Sequence, residues 1–142
     1  MNKIDNIIND SKDINLVYVS PTFHLAYQTY ANIKATFPRK IVAIITTEIL
    51  CIPNNANIFI GTAPQLLNYF ITTNKKFQIG IFDEIHVVSK LYFDQDNLID
   101  VIRAKAYSSL LARCERQIIA ASATINNEFE MRKYIVQQTN QY

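Results

Sequence analysis

Five short apolar runs, each continuous rather than alternating, constrain this chain more than any other feature. They are Leu16–Val19, Ile41–Ile45, Ile58–Ile60, Ile79–Phe82 and Ile118–Ala121. Runs rich in β-branched residues with no polar alternation suit strands covered on both faces. Between them lie segments with apolar spacings of three and four, the period of a helix packed on one side. Strands alternating with helices predict a mostly parallel α/β sheet with right-handed crossovers and helices on both faces.

The helical segments have readable ends. Ser20 and Pro21 can open a helix running to about Phe37, with Phe23, Tyr27, Tyr30, Ile33 and Phe37 as its apolar stripe. Thr62 and Gln65 stand in capping-box relation ahead of Leu66, Leu67, Phe70 and Ile71. A longer helix is predicted over Asp96–Cys114, with Ile99, Ile102, Ala106, Leu110 and Cys114 on one side. Asn127 and Glu130 repeat the capping spacing before Met131, Tyr134 and Ile135. Residues 54–57 and 72–76 are polar breaks suited to loops. No repeat or internal boundary divides residues 1–142, so the chain reads as one unit.

Composition narrows the class. Hydrophobic residues make up 49% and charged residues 18% of 142 positions. A chain of that size buries about two thirds of its unfolded surface, enough for a core without staples. The net charge of +2 is too small to announce a nucleic acid partner by itself. Cys51 and Cys114 form no close pair, so neither a disulfide scaffold nor a zinc site follows, and a reducing compartment fits. The first ten residues mix apolar and acidic side chains, unlike a signal peptide. The longest apolar runs are about five residues, against roughly twenty for a membrane span. A soluble, intracellular protein is expected.

Four of the five runs end in small or polar clusters: Ser20-Pro21-Thr22, Gly61-Thr62, Asp83-Glu84 with His86, and Ser122-Ala123-Thr124. In an open parallel sheet, ligands gather beyond the carboxyl ends of the strands. Turn and cap chemistry accounts for any one cluster taken alone. Asp83 carries more weight, because a carboxylate ending a buried strand needs a cation or strong donors. It could hold Mg²⁺ against a nucleotide's phosphates, with Glu84 orienting or deprotonating the attacking water.

These clusters resemble, in order, motifs of the first RecA-like domain of DExH-box superfamily-two helicases. Asp83-Glu84-Ile85-His86 is similar to motif II, the Walker B element, and Ser122-Ala123-Thr124 to motif III. Pro21-Thr22, followed by Leu25 and Gln28, resembles motif Ia. Gly61-Thr62-Ala63-Pro64 with Leu67 resembles the motif Ib region, although Ala63 separates the threonine from the proline. The DEIH sequence also resembles the Ski-like branch. The resemblance spans about Leu16 to Val136.

The resemblance implies a RecA-like fold and ATP hydrolysis coupled to movement along, or separation of, nucleic acid strands. It implies that Asp83 coordinates Mg²⁺ and that Glu84 is the catalytic base beside ATP. His86 would link the nucleotide to Ser122 and Thr124, which pass its state to the bound strand. Ser20, Pro21, Thr22, Gly61 and Thr62 would meet the phosphates of single-stranded RNA or DNA. All of this requires the Asp83–Glu84 pair to leave a central strand facing the same crevice as Ser122 and Thr124.

Two family parts are not visible. No glycine precedes Gly61, so the segment before Leu16 lacks the G-x-x-x-x-G-K-[ST] phosphate loop. The sheet is therefore expected to lack the phosphate-loop strand, leaving an interior gap. A second RecA-like domain, which would contribute arginines to the transferred phosphoryl group, is missing as well. Arg113 and Arg116 read as solvent-facing. A fragment of a larger helicase, inactive alone, is the favoured reading, ahead of a split or degenerate copy. A non-catalytic nucleic acid binding module and a structural or interaction protein are the alternatives. Abundant Ile, Asn and Lys accord with an A+T-rich genome such as that of a large virus.

Overall fold

The computed structural model describes residues 3–10, 13–83 and 98–121. Its elements run α1 (Lys3–Asp10), β1 (Leu16–Ser20), α2 (Phe23–Thr36), β2 (Val42–Ile45), β3 (Leu50–Cys51), β4 (Ile58–Thr62), α3 (Ala63–Thr72), β5 (Phe77–Asp83), α4 (Leu98–Arg113) and β6 (Cys114–Ala121). All five apolar runs are strands. The sheet order is β3-β2-β4-β1-β5-β6, parallel throughout except for the two-residue β3, which pairs antiparallel with β2.

This order corrects one expectation. Among the described residues, each of the six strands is hydrogen-bonded to its neighbours, and no interior gap separates them. A further strand would join at an edge, beside β3 or β6.

Successive side chains of a strand point to opposite faces, and both faces here are apolar. Val17, Val19, Phe59 and Phe82 pack with Leu66 and Phe70 of α3 and with Tyr107, Leu110 and Leu111 of α4. Leu16, Ile58, Ile60 and Ile81 pack on the other face with Ile8 of α1 and with Ala26 and Ile33 of α2. Phe70 meets Phe59 and Phe77 edge-on, with ring centroids 5.2 and 5.3 Å apart. Such pairs add about 0.5–1.5 kcal/mol beyond the area they bury.

Three helical readings shift. α2 starts at Phe23, with Thr22 rather than Ser20 as its cap: the Thr22 Oγ1 accepts from the Leu25 amide at 3.3 Å. Its buried face is Ala26, Ile33 and Phe37, leaving Tyr27 exposed. On α4 the buried stripe is Ala104, Ala106, Tyr107, Leu110 and Leu111, while Ile99 and Ile102 are exposed. Cys114 is buried but opens β6. The helix expected after Asn127 lies outside the described residues.

Both glycines are fixed by packing. A Cβ on Gly61 would sit 2.0 Å from the carbonyl oxygen of Ile45, its register partner on β2. A Cβ on Gly80 would press on the Phe82 ring at 2.5 Å.

The amino end of the sheet is tied by side chains. Asn15 Nδ2 donates to the Lys76 carbonyl at 2.8 Å, and the Asn15 amide donates to Gln78 Oε1 at 2.8 Å. Gln78 Nε2 in turn donates to Glu115 Oε1 at 2.7 Å. These bonds join the starts of β1, β5 and β6.

Candidate nucleic-acid and nucleotide site

The carboxyl ends of the central strands are level. Ser20 is the register partner of Thr62, and Val19 pairs with Phe82, one residue before Asp83. Parallel pairing thus brings the ends of the first, third and fourth apolar runs to one rim of the sheet. Asp83 pairs across to Ala121, the residue that precedes Ser122 in sequence.

Beside this rim lies a cavity of about 350 Å³, lined among others by Ser20, Pro21, Thr22, Thr62, Gln65, Arg103 and Tyr107. Ser20 is fully buried, and its Oγ has no hydrogen-bond partner among the described residues. A buried hydroxyl left unmatched costs about 1–3 kcal/mol, which a ligand would recover. Thr22 and Thr62 are the N-caps of α2 and α3. They differ in one respect. Thr62 donates its hydroxyl hydrogen to Gln65 Oε1, and the first turn of α3 has no side-chain cap. The capping box expected there is a side-chain pair instead. Helix amino termini with unmatched N–H groups favour anions.

The β2–β3 turn adds to the lining. Thr46, buried, closes that turn: its Oγ1 donates to the Ile49 carbonyl at 3.0 Å and accepts from the Ile49 amide at 2.9 Å. Thr47 and Glu48 then line the cavity, with the Thr47 hydroxyl donating to Glu48 Oε2 at 2.8 Å.

Asp83 ends β5 half-buried. Its charge is felt by Tyr18 on the neighbouring strand. Burial pushes the Tyr18 phenol above its ordinary value, the Asp83 carboxylate pushes the same way, and a hydrogen bond with Thr29 opposes both. A hard oxygen donor with nothing but carboxylate chemistry to offer suits Mg²⁺, which takes one or two carboxylates and keeps its waters and phosphates.

The structure therefore brings Ser20, Pro21, Thr22 and Thr62 together in one cavity and sets Asp83 at the same rim. Gly61 is buried and is not among the lining residues. Glu84, His86, Ser122 and Thr124 lie outside the described residues. Arg113 and Arg116 are exposed, as expected. Sequence reasoning missed Arg103 and Tyr107, whose one signal was their spacing of four on a helix, which places them on one face.

A mostly parallel sheet with helices on both faces and its polar residues at the carboxyl rim defines a RecA-like α/β domain. Solved structures show the same fold. Dbp5 of S. cerevisiae bound to RNA and ADP BeF3 matches with a TM-score of 0.63 at 20% identity, over 94% of this chain and 34% of that one. A Dbp5 variant bound to Nup159, a Gle1 variant, IP6 and ADP matches with a TM-score of 0.59 at 20% identity, over 92% and 34%. The chain thus spans about a third of the length of those proteins. No curated protein matches the chain. The DEAD/DEAH box helicase family model matches residues 1–131, and the chain belongs to that family.

No helix among the described residues is long and apolar enough to cross a membrane.

Proposed function

We infer that the chain is the nucleic-acid-gripping part of an ATP-dependent helicase of this family, a partial ATP-binding domain that needs further parts to turn over. The observation that carries the reading is the shared rim: Ser20 and Thr62 are register partners beside Asp83, and both line the cavity there, Ser20 with a buried hydroxyl that has no partner among the described residues. Ser20, Thr22 and Thr62, with Pro21 shaping the turn, meet the phosphates of a single strand through hydroxyls and helix amides, contacts that need little net charge. Gly61 serves them by letting β2 and β4 approach closely enough to place Thr62 at the rim.

On the nucleotide side, Asp83 would hold Mg²⁺ beside the phosphates of ATP, and Glu84 would take the proton of the attacking water. His86, Ser122 and Thr124 would carry the nucleotide's state to the strand. Mg²⁺ supplies neutralisation of charge on the transferred phosphoryl group when bound. The Asp-Glu-Ile-His sequence favours the Ski-like branch, and the RNA bound in the Dbp5 structure makes single-stranded RNA the first ligand to try.

The test joins the chain to a phosphate loop and a second RecA-like domain. ATP hydrolysis stimulated by single-stranded RNA is expected, with Asp83→Asn and Glu84→Gln each lowering it by orders of magnitude. Stimulated hydrolysis that survives both substitutions refutes the assignment. A second reading, an interaction module, draws on one observation. Leu98, Ile99, Ile102 and Ile71 are exposed, and Ile71 and Ile102 line an apolar groove of about 340 Å³ between α3 and α4. That reading predicts a stable complex with a protein partner and no oligonucleotide binding.

A further inference from the structure

The cavity at the strand ends holds an arginine that no sequence motif marks. Arg103, half-buried in the second turn of α4, lines the same cavity as Ser20, Thr22, Thr62 and Gln65. We propose that Arg103 is the cation that binds a backbone phosphate of the strand in this cavity, which the amino end of α3 also lines; the proposal rests on the reading that this groove grips a nucleic acid.

Three observations converge on an anion. The Ser20 hydroxyl is buried and lacks a partner among the described residues, so it is ready to donate. The first turn of α3, in which Pro64 supplies no N–H, presents its remaining amides with no side-chain cap. Arg103 lines the same volume from a different helix and adds a guanidinium to its donors. Hydroxyl, backbone amides and guanidinium together form the donor set that phosphate oxygens accept most strongly. The arginine's own wall is anchored. Tyr107, one turn further along α4 and fully buried, also lines the cavity and donates its hydroxyl hydrogen to the Asp83 carbonyl at 2.9 Å. The backbone that carries Arg103 is thereby held in register with the strand that ends in Asp83. Glu48, which lines the cavity too, is the counterpoint: its carboxylate repels phosphate.

The experiment uses the 142-residue chain and a fluorescein-labelled ten-nucleotide uridine oligomer, with anisotropy read across a salt series. Arg103→Gln is expected to weaken binding about tenfold, the scale of a charge-assisted hydrogen bond. It should also flatten the dependence of log K on log salt by about 0.7, one phosphate contact on a single strand. Arg103→Lys should restore the slope while recovering only part of the affinity, since lysine keeps the charge without the fork. Lys105→Gln, an exposed position lining the other groove, should change neither by more than about a factor of two. Circular dichroism and urea midpoints identify any variant that fails to fold, and the Lys variant then carries the comparison. If Arg103→Gln keeps wild-type affinity and slope while Ser20→Ala weakens binding, the arginine assignment falls and the groove stands. If the unaltered chain does not bind, or binding survives both substitutions, groove and arginine fall together.

Discussion

The hydroxyl of Tyr107 donates to the backbone carbonyl of Asp83 at 2.9 Å, tying the middle of α4 to the last residue of β5. The bond is made by a fully buried side chain, and it meets the one described motif residue assigned to Mg²⁺. Tyr107→Phe keeps the packing and removes the donor. A loss of about 1 kcal/mol is expected, seen as a lower urea midpoint with an unchanged slope.

Gly61→Ala is expected to cost more. The added carbon would collide with the Ile45 backbone, which cannot turn aside as a side chain can. Overpacking of this kind costs about 1–3 kcal/mol or more. Urea unfolding of the variant checks it, and oligonucleotide affinity should fall with it because Thr62 is the next residue. Gly80→Ala meets an aromatic ring instead and should cost less.

Glu48→Gln should tighten binding to a single strand. Glu48 lines the same cavity, and its carboxylate opposes an incoming phosphate. Removing one exposed charge is worth about 0.2–1 kcal/mol, or a gain of roughly 1.4- to 5-fold, largest at low salt. Anisotropy titration at two ionic strengths measures it.

Tyr18 gives the fold an alkaline limit. Its phenol titrates above the ordinary 10.0 in the folded chain, chiefly through burial and then through Asp83. Below pH 10 neither state has lost this proton, so the contribution to stability is complete. Above 10 the unfolded chain ionises first, and stability falls as pH rises toward the folded value. Asp83→Asn removes the like charge and should bring the Tyr18 titration down, readable as phenolate absorbance in a pH series. A Tyr18 titration that does not move would place the Asp83 carboxylate out of electrostatic reach.

The strands were legible because each apolar run is continuous and stopped by a polar or small residue, and a buried parallel strand demands nothing subtler. The rim followed directly, since parallel strands put all their carboxyl ends on one side: Ser20, Thr62 and Asp83 needed only the topology to meet. β3 was illegible because two residues on an exposed turn carry no period. The exposed face of α4 was misread because Ile99 and Ile102 keep helical spacing without being covered, and periodicity reports a stripe, not what lies against it. The α2 cap moved from Ser20 to Thr22 for a related reason. Ser20 completes β1 in register with Thr62, and α2 opens only at Phe23, which makes Thr22 the residue next to the helix. Arg103 and Tyr107 were invisible for the opposite reason: the other residues that line their cavity lie at least 38 positions away, a distance no local pattern spans.

The bonds from Asn15 and Gln78 give the sheet a fastened heel. Lys76, Gln78 and Glu115 are stitched there through side chains, while the opposite margin keeps an unanswered hydroxyl and an uncapped helix. Amide hydrogens near the heel should therefore exchange slowly whether or not an oligonucleotide is present, and protection gained on binding should gather at the toe, around residues 20–23 and 62–66. Such a domain would yield at the end where it grips and stay rigid at the end that anchors it.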